Sequence, residues 1–177
     1  MIRSVENTKK LTFTFFIALI LFMNQFDLLA QSEKKYSSLM EFVVDKGVLT
    51  IGSTGENFPY THYDAINGKW EGLDVDLANI LGQEIGVKIN FVKAGEKALI
   101  SGVATGEFNI AMSGIKRTIS HTLISGMTRA YAFNSNEEIA ILLPSFEKEF
   151  LQYLNTFLED LENKGELENL RNKWIRG

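Results

Sequence analysis

Residues 73–86, LDVDLANILGQEIG, decide the fold. Leu77, Ile80, Leu81 and Ile85 recur at the spacing of one helix face, and Gly86 supplies the stop. Upstream, residues 48–51 (VLTI) are an apolar run ending at Gly52, the pattern of a buried strand. Downstream, residues 87–92 (VKINFV) alternate apolar and polar side chains, as a strand does. The pattern then predicts a weaker helix over 97–105, interrupted by Gly102 and stopped at Gly106, and a third strand over 108–112 (FNIAM). Strand, helix, strand, helix, strand implies an α/β fold with a parallel sheet and right-handed crossovers. Asp74 and Asp76 fall in the first turn of the decisive helix, where carboxylates complement the helix dipole; that role is expected here rather than paired-carboxylate catalysis.

If the first strand lies between the other two, connections leave it in opposite directions, and ligands bind beyond the strand ends at such a switch point. Those ends are Gly52-Ser53-Thr54-Gly55 and Ser113-Gly114-Ile115-Lys116. Small residues, hydroxyls and free backbone amides there suit an anionic or zwitterionic small molecule. Turn formation alone explains the glycines equally well.

Around this unit, residues 37–45 predict a short helix stopped by Gly47, and Asn67-Gly68 predicts a hairpin with a tight type I′ turn between 60–66 and 69–71. Ser145 is expected to cap a helix through Phe146, Phe150, Leu154, Phe157 and Leu161 that ends at Lys164-Gly165. Leu167, Leu170 and Trp174 mark a second, short helix. This aromatic stripe reads as core packing on the sheet.

The whole chain has 177 residues, 45% hydrophobic and 23% charged, with no Cys and a formal charge of -4. Without Cys there is no thiolate metal site, no cysteine nucleophile and no lipidated Cys. An acidic balance lacking a Lys/Arg cluster argues against nucleic acid. His62 and His121 have no metal-ligand spacing, and phosphate-loop, dinucleotide and nucleophile-elbow motifs are absent from the sequence, so no cofactor, metal or catalytic residue is assigned. At the start of the chain, Arg3, Lys9 and Lys10 precede the uncharged stretch 11–23 (LTFTFFIALILFM), followed by Leu28-Leu29-Ala30. That is the order of a cleaved secretory signal peptide over residues 1–30, and thirteen residues are too few for a spanning helix. The expectation is an exported, periplasmic protein of residues 31–177 with no stable membrane insertion after cleavage.

Gly72-Leu73-Asp74-Val75-Asp76-Leu77, followed by Leu81, Gly82 and Ile85, resembles the signature of the bacterial extracellular solute-binding proteins of family 3, the periplasmic receptors of amino-acid ABC transporters. KGVLTIGSTGENFPY resembles the family's first strand and ligand loop, GEFNIAMSGIKRT its third strand and following loop, and AILLPS with FLQYLNTFLEDLENKGELENLRNKW its return strand and closing helices. The resemblance implies one lobe of the type II periplasmic-binding-protein fold: three layers, a mainly parallel sheet and C-terminal helices. Family members are two-lobed clams that close on a solute and dock on a permease. Here residues 117–138 stand where a second lobe is expected, and twenty-two residues are too few for one.

The resemblance places ligand-binding positions at Thr54, Asn57, Tyr60, Ser113, Gly114, Lys116, Arg117 and His121. Asn57 stands where the family usually stacks an aromatic ring on the ligand, His121 where an arginine grips the ligand α-carboxylate, and Asn109 where an acid precedes the third strand. Imidazole lacks the planar fork that pairs bidentately with a carboxylate; Lys116 or Arg117 is the candidate substitute cation, the alternative being that both are solvated surface charges. The implied partners are an amino acid or related carboxylate and an ABC permease. The Ser53-Thr54-Gly55-Glu56 loop also resembles that of periplasmic cyclohexadienyl dehydratases, which convert prephenate or arogenate, but that chemistry draws on a second lobe. A third reading is a one-lobed interaction domain without solute binding.

Overall fold

The computed structural model describes residues 35–176; the expected signal peptide lies outside them. In chain order the elements are α1 (Leu39–Lys46), β1 (Val48–Ser53), β2 (Glu56–Asn57), β3 (Thr61–Asp64), β4 (Lys69–Glu71), α2 (Leu73–Ile85), β5 (Lys88–Lys93), α3 (Glu96–Thr105), β6 (Ile110–Ala111), α4 (Ile119–Ile124), β7 (Gly126–Met127), β8 (Ala132–Asn134), β9 (Glu137–Ile139), β10 (Leu142–Leu143), α5 (Lys148–Asn163) and α6 (Glu166–Trp174). Five strands form the main sheet in the order β5-β1-β6-β10-β7. β1 runs parallel to both β5 and β6, while β10 is antiparallel to β6 and β7, so four of the five strands share a direction.

Period-two alternation sorts the sheet's side chains into two layers. Leu49, Ile51, Ile110, Met112, Ile141 and Leu143 face a core completed by Val43 of α1, Leu77 and Leu81 of α2, and Phe150, Leu154, Phe157 and Leu161 of α5. Ala111, Met127, Ala140 and Leu142 face the other core with Leu99 and Val103 of α3. Helices therefore cover both faces, as the alternation of strands and helices requires. Phe108 is 1% exposed because two glycines make room for it: a Cβ on Gly52 would lie 2.5 Å from its ring, and one on Gly102 2.4 Å. The Gly102 that weakens the α3 pattern in the sequence is thus the slot for the largest side chain of that layer.

Three expectations shift. The third strand is Ile110–Ala111 rather than 108–112, because Phe108 is drawn into the α3 layer. Asn109 prolongs the contact instead: its N–H donates to Thr50 O at 2.9 Å, and its side-chain Oδ1 accepts from Thr50 N at 2.7 Å. The β3–β4 hairpin forms, but Asp64 pairs with Lys69, leaving a four-residue loop instead of a type I′ turn. Asp64 Oδ1 accepts from Ile66 N at 2.9 Å, and only Gly68 in the loop has a positive φ, +65°. Ser145 does not cap α5; Glu147 holds the N-cap position, and its carboxylate accepts from Leu39 N at 2.9 Å, joining the starts of α1 and α5.

Residues 117–138 build α4, β7, β8 and most of β9. β7 is the edge strand of the main sheet, and β8 and β9 form a separate antiparallel hairpin. Among the described residues, no helix is long and apolar enough to cross a membrane.

Candidate functional site

β1 has β5 on one side and β6 on the other, reached by helices on opposite faces, which makes its C-terminal end the switch point. Met112 N donates to Gly52 O at 3.0 Å, so the chain leaving β6 stays beside the end of β1 and delivers Ser113 to Thr54. Ser113 Oγ accepts from Thr54 N at 3.1 Å and lies 2.7 Å from Thr54 Oγ1 and 3.4 Å from Thr61 Oγ1. Asn57 Nδ2 donates to Ser113 O at 2.7 Å. In place of a stacking ring, Asn57 offers an amide that ties one loop to the other.

Gly114 has φ +59°, and a Cβ there would meet Tyr60 Cδ2 at 2.4 Å and Asn57 Nδ2 at 2.6 Å. Both the backbone conformation and the space therefore require glycine. Its N–H donates at 2.8 Å to Asp74 Oδ2, and Tyr131 Oη donates at 2.5 Å to Asp74 Oδ1. Asp74 is fully buried, which pushes its carboxyl up to about 6; the two hydrogen bonds pull the other way. The dipole position expected for Asp74 is occupied, since it lies in the first turn of α2, but the carboxylate also joins the chain leaving β6, at Gly114, to Tyr131. Asp76, two residues on, accepts from Trp174 Nε1 at 2.7 Å and Lys173 Nζ at 2.6 Å, tying α2 to α6.

Five positions read from the sequence, Thr54, Asn57, Tyr60, Ser113 and Gly114, thus come together. The other three lie along the rim. Lys116 Nζ is 2.9 Å from Glu137 Oε2, and Arg117 Nη1 is 3.0 Å from Glu138 Oε2. His121 uses its main-chain N–H on the Thr118 hydroxyl that caps α4, and its ring Nδ1 lies 2.9 Å from Lys116 O. The imidazole is turned onto the backbone beneath Lys116. Sequence reasoning passed over Asp74 as a ligand-loop anchor, and it passed over Thr61, Tyr131 and Glu137. Only Asp74 left a trace, its place in the GLDVDL motif.

The free amides expected at the strand ends are corrected by this geometry. Thr54 N is taken by Ser113, Gly114 N by Asp74, and Glu56 N by Thr54 Oγ1 at 3.3 Å. A ligand must exchange partners with these groups, and each exchange nets little because a bond is lost for each one made. The Tyr60 phenol is raised, first by burial and then by the charges of Asp74 and Glu137, so it stays a neutral donor. Among the described residues, no cluster of three His, Asp or Glu side chains is placed to hold a metal ion. A cavity of about 470 Å³ between Phe42, Phe108, Asn109, Pro144 and Phe146 lies at the opposite end of the sheet from this polar cluster.

Comparison with known proteins follows the same outline. The chain is 33% identical over 88 residues to the cyclohexadienyl dehydratase of Pseudomonas aeruginosa, a match covering 50% of this chain and 32% of that protein. Matches to curated relatives, including the L-cystine-binding protein TcyA of Bacillus subtilis at 25% identity, span between 32% and 54% of the relatives' own lengths. Among solved structures, an ancestral cationic amino acid solute-binding protein superposes with a TM-score of 0.73 at 18% identity over 78% of this chain and 100% of its own. The arginine-bound form of domain 1 from TmArgBP does so with a TM-score of 0.63 at 24% identity, over 68% of this chain and 98% of its own. The model of the bacterial extracellular solute-binding proteins, family 3, matches residues 49–177, and the chain belongs to that family.

Proposed function

We propose that this chain is a one-lobed periplasmic receptor for a small amino-acid-like solute, held at the switch point by Thr54, Asn57, Tyr60, Ser113 and Gly114 with Lys116 at the rim. The convergence of these hydroxyl, amide and phenol groups on the joined ends of β1 and β6 carries the reading. The solved domain 1 from TmArgBP in its arginine-bound form is a precedent for a comparably small unit holding an amino acid. In this reading residues 1–30 direct export, residues 31–177 are the receptor lobe, and the solute passes to an ABC permease. The segment 117–138, with its β8–β9 hairpin, stands where two-lobed relatives carry their second lobe. One wall leaves much of a ligand in water, whereas enclosed sites bury roughly 70–90% of it, so affinity is weak.

Calorimetry of the full chain against the twenty amino acids tests this. Dissociation constants of roughly 0.1–5 mM for some amino acids are expected, equivalent to about 3–5 kcal/mol. Absence of heat or of amide shifts at Ser113 and Gly114 for every amino acid would sink the receptor reading.

A second reading, a prephenate or arogenate dehydratase, is favoured by the identity to the Pseudomonas enzyme. Its general acid would have to come from this lobe, and the carboxyl with a raised pKa, Asp74, is sealed behind Gly114 and Tyr131. Incubation with prephenate decides the matter: phenylpyruvate formed above background and lost on Lys116→Met supports the enzyme, and no product ends it.

A further inference from the structure

The β8–β9 hairpin is fixed in register against the chain leaving the site. Asn134 pairs with Glu137, so Ser135 and Asn136 form a two-residue turn, with Ser135 at φ +56°. Arg117 N donates to Glu138 O at 2.7 Å, Ala140 N donates to Ile115 O at 3.0 Å, and Lys116 and Ile139 form an antiparallel bridge. The hairpin therefore presents its carboxylates to residues 116 and 117 at a set height. Neighbouring side chains on extended backbone point to opposite sides, so Lys116–Glu137 and Arg117–Glu138 occupy different faces. Lys116 follows Gly114 and Ile115 directly in the chain, which keeps the Lys116–Glu137 pair at the edge of the strand-end cluster.

We propose that Glu137 is an intramolecular stand-in for a ligand carboxylate: it occupies Lys116 at the rim of the switch point, so that a solute binds there by displacing it. This rests on the receptor reading above. A carboxylate from solution offers Lys116 what Glu137 already gives, so a simple carboxylate gains almost nothing by the exchange. A zwitterion gains more, because the displaced Glu137 accepts the solute's ammonium while Lys116 takes its carboxylate. The pair thus selects molecules that carry both charges close together. Lys116 and Glu137 are 54% and 48% exposed, so water screens their attraction and the pair opens readily.

Acetate and glycine, which differ by one ammonium group, are the probes, titrated into the full chain while the Gly114 and Ile115 amide signals are followed. The wild-type protein is expected to bind glycine more tightly than acetate. Glu137→Gln should raise acetate affinity about two- to fivefold and narrow the glycine advantage, and Lys116→Met should remove the acetate response. Glu138→Gln, on the other face, should leave acetate affinity unchanged. An unchanged or lower acetate affinity in Glu137→Gln overturns the proposal. An equal gain in Glu138→Gln also overturns it, since the effect would then be one of net charge. If acetate affinity rises in Glu137→Gln but no amino acid binds the wild type, the receptor reading fails and the stand-in role stands; amino-acid binding with no acetate gain has the reverse meaning.

Discussion

At the floor of the site, Asp74, Ser113, Gly114 and Tyr131 are buried and each is held by a partner from another part of the lobe. At the rim, the side chains of Lys116, Arg117, Glu137 and Glu138 are all more than 40% exposed and pair between the hairpin and residues 116 and 117. The difference is one of dielectric. Buried polar groups are costly to leave unpaired, so the floor is first of all a structural network. Exposed ion pairs are worth little and exchange readily, so the rim can change partners without disturbing the fold.

The floor is most sensitive at Gly114. Gly114→Val adds side-chain atoms where a Cβ alone already meets Tyr60 at 2.4 Å, at a positive φ. A loss of about 3–5 kcal/mol in urea unfolding is expected. Asp74→Ala strands Gly114 N and Tyr131 Oη in the interior, and about 2–4 kcal/mol should be lost. Tyr131→Phe removes one of the two bonds to Asp74 and should cost about 1–2 kcal/mol, with the Asp74 carboxyl pushed higher still.

Asp74→Asn sharpens the contrast through pH. Because the folded-state carboxyl is raised to about 6 from an ordinary value of 3.8, the folded protein favours the protonated form. Its contribution to stability is therefore greatest below pH 4 and declines as pH rises toward 6. Asparagine lacks this titration, so the stability of the variant relative to wild type should improve by about 1–3 kcal/mol between pH 4 and pH 7 in thermal melts. The smallest effect belongs to the rim: Arg117→Ala and Glu138→Ala should each change stability by less than about 1 kcal/mol and be sensitive to salt. A rim variant that costs as much as Tyr131→Phe would erase the distinction.

Much of the lobe was legible. The β1-α2-β5-α3-β6 order follows from the period of apolar residues, and the placement of β1 between β5 and β6 agrees with the switch-point condition set from the pattern. That Thr54, Asn57, Tyr60, Ser113 and Gly114 meet in space was legible because strand ends and a motif mark them; their binding of a solute is the proposal made above. The shift of β6 to two residues was not, because it depends on Phe108 entering the slot left by Gly52 and Gly102, residues 56 and 6 positions away. Nor was the role of Glu137, which reaches Lys116 only because the Ser135-Asn136 turn folds β9 back on residues 115–117.

By itself the sequence determined the local periods, the helix stops at Gly47, Gly86 and Gly106, and the acidic first turn of α2, since these depend on neighbours along the chain. Tertiary structure alone decided which polar groups are occupied. Asp74 became the anchor of Gly114 and Tyr131 rather than only a dipole partner, and the strand-end amides became internal donors rather than free ones. These hydrogen bonds act through space between residues 40 or more positions apart, and burial sets their strength. No spacing rule along the chain carries that information.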